Sequence, residues 1–182
     1  LGARILSTDD EMEARELAKQ LDDFNQQRRA VEEAVLEEAM GALRAEELKL
    51  DVDVTAPLSG LLQLFDFIHD HFDAHPQLIA LLSAENLMQA RYLKQSETIP
   101  AMSSPVPKLI KTLVRRGVAE GALNADVDPL RLYVMMVALS YFHLSNVHTL
   151  SAIFDKDLTR DSWRARQRHD ARQMIERYLR AD

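Results

Sequence analysis

PLRLYVMMVALSYFHLSNVHTLSAIF, from Pro129 to Phe154, is the most apolar passage of the chain, and its reading decides the fold. Asp128 stands where a helix N-cap accepts a backbone N–H, and Pro129 suits the first turn, where its missing N–H costs nothing. Leu132, Met135, Met136, Leu139 and Phe142 make one apolar stripe, with His143 where the stripe would continue. Leu130, Tyr133, Val134, Val137, Ala138, Tyr141 and Leu144 fill the opposite side. A helix apolar nearly all round must be covered nearly all round. Tyr, Ser, His and Asn interrupt it too often for a good membrane span. The passage reads as the central helix of an all-α bundle, covered by its own chain on one face and by a second copy on the other.

Composition supports this reading. A chain of 182 residues can bury one sizeable core, and 47% hydrophobic content with only 5 Gly and 6 Pro favours long helices over disorder. Cysteine is absent, which removes disulfides, thiol nucleophiles and cysteine metal sites together and fits a cytoplasmic protein. No secretory signal or membrane-length apolar run is present. The first residue is Leu1 rather than Met, which reads as a trimmed or engineered start. A net charge of −7 argues against a phosphate-binding surface. Residues 1–50 hold thirteen acids against seven bases, so the acidity lies at the N-terminal end. Nucleic acid and membrane are therefore not expected partners.

In chain order, Leu1–Ser7 is a short lead-in and Thr8–Glu11 has the form of a capping box. From there to about Leu50 there is no proline and one glycine, Gly41. Ala14, Leu17, Leu21, Phe24, Val31 and Val35 follow a seam of threes and fours that Arg28 interrupts. One long helix is expected here, rather than two broken near Asn25–Arg28. A second helix starts at Thr55-Ala56-Pro57, carries Leu58, Leu61, Leu62, Phe65, Ile68 and Phe72, and ends at His75-Pro76. Leu78, Ile79, Leu81, Leu82, Leu87 and Leu93 mark a third, followed by a loop over 94–104. The next helix, opened by Pro105 or Pro107, ends around Gly117–Gly121, and a last one is capped by Ser162. No strand pattern or internal repeat is evident.

Four groups of polar residues invite a functional reading. His71 and His75, four apart on one helix face, suit a divalent metal; lacking a third ligand in sequence, they read as helix-edge and helix-end residues, and no metal site is expected. Glu85, Asn86, Gln89 and Arg91 interrupt an apolar stretch and form an internal network, turn into a pocket or are solvated. Arg164, Arg166, Arg168, Arg172, Arg177 and Arg180 alternate with acids and read as a solvated face. Ser145, Asn146, His148 and Thr149 either cap the central helix or bond across a dimer seam. No triad, glycine-rich phosphate loop or cofactor motif is present, so neither catalysis nor a cofactor is expected.

The pieces AVLEEAMGALRAEE, FIHDHFDAHPQLIALLSAENLMQARYL and ALSYFHLSNVHTLSAIFDKDL resemble the C-terminal part of tetracycline-repressor (TetR) family regulators, over roughly Val35 to Leu179. That resemblance implies an effector-sensing domain whose last two long helices pair with a second copy in a four-helix bundle. It implies a hydrophobic effector pocket at Phe65, Phe72, Leu82, Asn86, Tyr133 and Met136 with His143 as polar contact. It also implies a homodimer seam at Leu139, Phe142, Asn146, Trp163, Met174 and Tyr178. The family's helix-turn-helix head is not seen before Val35. LSTDDEMEARELAKQLDDFNQQRRAVEEAVLEEA instead resembles a helix of DHH-family phosphoesterases, without the Asp-His-His run their metal chemistry needs. Residues 1–34 are thus expected to be foreign to a TetR-like domain over 35–182, joined within Arg28–Ala39 in an engineered or naturally recombined chimera that binds no operator DNA. Two alternatives stand beside it: a fusion scaffold with no retained ligand, and an intact regulator whose head is unrecognised.

Overall fold

The computed structural model describes the backbone of residues 8–101 and 104–181 and the side chains of 12–99 and 104–181. The apolar lead-in and the Thr8–Glu11 capping side chains lie outside these residues. The described elements are α1 (Thr8–Glu47), α2 (Pro57–Ala74), α3 (Pro76–Leu87), α4 (Arg91–Gln95), α5 (Thr98–Ala101), α6 (Val106–Ala119), α7 (Pro129–Ser145), α8 (Val147–Phe154) and α9 (Asp161–Leu179). The all-α expectation holds. Among the described residues the single extended pairing is a bridge between Leu123 and Arg180, and no helix is long and apolar enough to cross a membrane.

The bundle is organised around α2, not around the Pro129–Phe154 passage. Leu61, Leu64, Phe65 and Ile68 of α2 meet Ile110 and Leu113 of α6, Leu132 and Met136 of α7, and Ala171, Ile175 and Leu179 of α9 in one buried cluster. Helix α2 succeeds at the centre because its apolar residues wrap round the axis, with His69 and His71 buried among them. Helix α7 is covered on one side only. Leu132, Met136, Ser140 and His143 face inward, while Leu130, Val134, Ala138 and Phe142 run along the exposed side at intervals of four. Its start follows the sequence closely: the Asp128 carboxylate accepts from the Arg131 N–H at 2.8 Å. The passage then breaks at Asn146, which leaves the helical conformation and bonds through its side-chain amide to the Phe142 carbonyl, so α8 is a separate helix.

Three further boundaries differ from the sequence reading. The third helix stops at Leu87 because Gln89 and Ala90 both adopt positive φ (58° each), so Leu93 belongs to α4. The expected 94–104 loop includes the short α5. Helix α9 begins at Asp161 after Arg160 with no side-chain cap, so Ser162 does not serve as one. Within α6, Gly117 is required: a Cβ there would sit 2.4 Å from Leu123 Cδ1.

Helix α1 is continuous, as expected, and its two halves differ. From Glu32 onward it is tied to the body: Glu32 accepts from the Tyr92 hydroxyl, Glu37 from Ser96 Oγ at 2.6 Å, and Leu36 is buried. Before that, Leu17, Leu21, Phe24 and Val31 are all about 60% exposed. The arginines of α9 are less solvated than expected. Arg172 reaches Asp66 at 3.0 Å, Arg168 reaches Asp70 at 2.6 Å, and Arg164 pairs with Asp73, so a basic row on α9 latches an acidic row on α2.

Candidate functional site

Among the described residues, clefts open around the bundle, and three of them bear on function. The first, of about 450 Å³, lies where Phe72 and Ile79 approach Leu144, His148 and Arg164. The second, of about 430 Å³, lies between α1 and the α3–α4 turn, walled by Val35, Leu36, Leu81 and Met88 with Glu32 and Glu85 among its lining. The third, of about 290 Å³, lies next to it and includes Val35, His71, His75 and Leu78.

Glu85 gives the second cleft its chemistry. The residue is 3% exposed, its Oε2 accepts from the Leu93 backbone N–H at 3.1 Å, and Oε1 has no hydrogen-bond partner. Bond and position share a cause. The positive-φ pair Gln89–Ala90 folds α4 back against α3, which brings the Leu93 N–H of α4 to the Glu85 carboxylate. A buried acceptor left open is expensive unless a donor reaches it, so an apolar cleft containing one suits an apolar molecule with an N–H or cationic head. Glu32, which accepts from the Tyr92 hydroxyl, lines the same cleft and adds a second carboxylate to it.

Of the pocket residues expected from sequence, the structure separates most. Phe72 lines the first cleft. Phe65 and Met136 are fully buried in the core, and Leu82 and Tyr133 pack against it. Burial, with the Glu47 carboxylate second, pushes the Tyr133 hydroxyl above its ordinary pKa. Asn86 is exposed and donates back to the Leu82 carbonyl at 2.9 Å. His143 is buried on His69, ring centroids 5.6 Å apart, and the Trp163 ring lies 5.9 Å from it. Burial pushes the His69 imidazole down to about 4, helped by His143 and Arg168, and pushes His143 down against the pull of the Leu139 carbonyl. These are neutral core histidines joining α2, α7 and α9. The structure thus divides these residues between core and surface, while Glu85, for which the sequence left a pocket-facing place open, lines the second cleft.

The expected dimer residues also divide. Phe142, Met174 and Tyr178 are exposed, Leu139 packs on the core, Trp163 is half-buried beside His143, and Asn146 bonds locally at the end of α7. Leu130, Val134, Ile153 and Phe154 are exposed as well and were not among them.

The helical body wrapped on α2 thus leaves clefts with apolar walls between its helices and an uncovered apolar row on α7. Residues 57–175 match the tetracyclin repressor-like, C-terminal domain, and the chain belongs to that family. The HTH-type transcriptional repressor NicS of Pseudomonas putida is 32% identical to it over 125 residues, which are 69% of this chain and 59% of that protein. The chain therefore spans less than two thirds of the length of this curated relative. The family match begins at residue 57, so the junction expected within Arg28–Ala39 lies outside it.

Proposed function

We propose that this chain is the effector-binding and self-associating part of a transcription repressor, and that the second cleft takes the effector. The observation that carries this is that Glu85, whose buried Oε1 has no hydrogen-bond partner, is among the residues lining a cleft with apolar walls. The effector is then an apolar molecule with a cationic or N–H-bearing head, held by Glu85 and enclosed by Val35, Leu36, Leu81 and Met88. Because α1 forms one wall, occupancy bears directly on how α1 sits against the body. The exposed apolar row on α7, with Met174 and Tyr178 of α9, supports pairing of two copies. Such a module would work in the cytoplasm without catalysing a reaction. Two features support a foreign origin for residues 1–34 as well: the first half of α1 carries an exposed heptad seam, and its bonds to the body begin only at Glu32. A chain built in this way would bind no operator by itself.

Calorimetric titration with paired probes tests the cleft: arylalkyl amines against the matching arylalkyl carboxylates. The amines should bind and the carboxylates should not. Glu85→Gln should weaken amine binding more than about tenfold, since a charge-assisted bond is lost. Ala84→Trp should fill the cleft from the exposed side of α3 and abolish binding. Equal binding of both probe classes, or amine binding that survives Ala84→Trp, would overturn the assignment.

A further inference from the structure

A separate cluster at the foot of α1 has chemistry that ligand sensing does not use. Glu46 in the last turn of α1, His71 in the last turn of α2 and His75 at the cap between α2 and α3 bring one carboxylate oxygen and two imidazole nitrogens within 4.8 Å of one another. We propose that these three residues form a binding site for a divalent transition metal of the zinc class, clamping α1 to the α2–α3 corner.

The donor distances are close to what such an ion needs. His71 Nδ1 lies 2.8 Å from Glu46 Oε2, and His75 Nε2 lies 4.0 Å from Glu46 Oε1. A tetrahedral zinc ion with bonds of about 2.0–2.1 Å holds its donors about 3.3 Å apart, so closure asks for movements of about an ångström. Side-chain turns of Glu46, which is 43% exposed, and of His75, which is 32% exposed, supply them.

At His75 the proton is placed for a cation, whereas at His71 the Nδ1 hydrogen donated to Glu46 at 2.8 Å is the proton an ion would displace. His75 Nδ1 lies 2.8 Å from the His71 carbonyl oxygen. That oxygen only accepts, so Nδ1 carries the hydrogen, and in the neutral ring Nε2 presents its lone pair to the Glu46 carboxylate. An imidazole N–H held by a backbone carbonyl while the other nitrogen stands open is how proteins fix a metal-binding histidine. His75 Nε2 and Glu46 Oε1 face each other at 4.0 Å, near enough for one ion to bridge both.

Room exists for the rest of the coordination sphere. His71 and His75 line the third cleft, of about 290 Å³, so water or a small anion has access to a fourth position. Two nitrogen donors favour zinc, cobalt, nickel or copper over magnesium and calcium, which prefer oxygen. Three protein ligands make an open site. It crosslinks residues 25 apart in sequence, from the last turn of α1 to the last turn of α2, so its expected effect is to fix the angle between those two helices.

Titrating the metal-stripped full chain with CoCl2 tests this. The expected result is one ion per chain, visible d–d absorption of a four- or five-coordinate cobalt, stoichiometric displacement by ZnCl2, and a zinc-induced rise in melting temperature that MgCl2 does not produce. Glu46→Gln and His75→Ala, both at partly exposed positions, should fold with the parent's circular dichroism and lose cobalt affinity more than about tenfold. A spectrum showing only six-coordinate aqueous cobalt, or variants that bind cobalt as the parent does, would overturn the site. Loss of amine binding at Glu85 would leave it untouched.

Discussion

Replacing His69 by Phe should remove much of the chain's sensitivity to mild acid. The ring is 3% exposed, lies between Phe65 and His143, and has neither nitrogen hydrogen-bonded. In the fold its pKa is pushed down to about 4 by burial, then by His143 and Arg168, whereas an unfolded histidine titrates near 6.5. Between those values the unfolded chain binds a proton that the folded chain refuses. Stability is therefore complete above about pH 6.5 and falls as pH falls towards 4. At pH 5 the loss from this one group is about 2 kcal/mol, since each unit of separation is worth about 1.4 kcal/mol. Urea unfolding at pH 7.5 and pH 5.0, at fixed protein concentration, should show the parent losing at least that much. His69→Phe keeps the aromatic volume and should lose about 2 kcal/mol less. His143, also pushed down by burial, accounts for part of the remainder. Equal losses for parent and variant would show that His69 is protonated in the folded chain, and the account of this stack would be wrong.

Two further outcomes are expected. Gly117→Ala should destabilise the fold by about 1–3 kcal/mol in the same urea assay, because its Cβ would meet Leu123 within 2.5 Å and Pro57 at 3.0 Å; an unchanged midpoint would mean the 122–124 turn yields freely. Light scattering should report dimers for the full chain and for one beginning at Arg29, while Phe142→Glu, on the exposed row of α7, should give monomers. If the shortened chain is the monomer instead, the seam of α1 is the interface.

Local signals were legible and distant juxtapositions were not. Asp128 and Pro129 announced the start of α7 because a cap is made within four residues, and the α2 stripe was visible because its period is local. Which of two apolar helices lies at the centre was not visible, since composition ranks Pro129–Phe154 first while covering depends on α6 and α9. The arginines of α9 read as solvated until Asp66 and Asp70, about a hundred residues earlier, were found opposite them. Glu46 stands 25 residues before His71, so no spacing rule joins them. Glu85 could be noticed as polar in an apolar run, but its place in a cleft depends on the positive-φ turn at Gln89–Ala90, which no glycine or proline marks.

The bare half of α1 has a mechanical consequence. Residues 8–31 extend about 36 Å beyond the last point of attachment at 1.5 Å per residue. A lever of that length turns each degree of tilt at its base into about 0.6 Å at its tip. The second and third clefts sit beside that base and share Val35 and Ala39 of α1 as walls. A ligand in one or an ion in the other that rocks α1 by ten degrees would carry whatever is attached at its N-terminal end through about 6 Å, amplifying a displacement of side chains into one of domains.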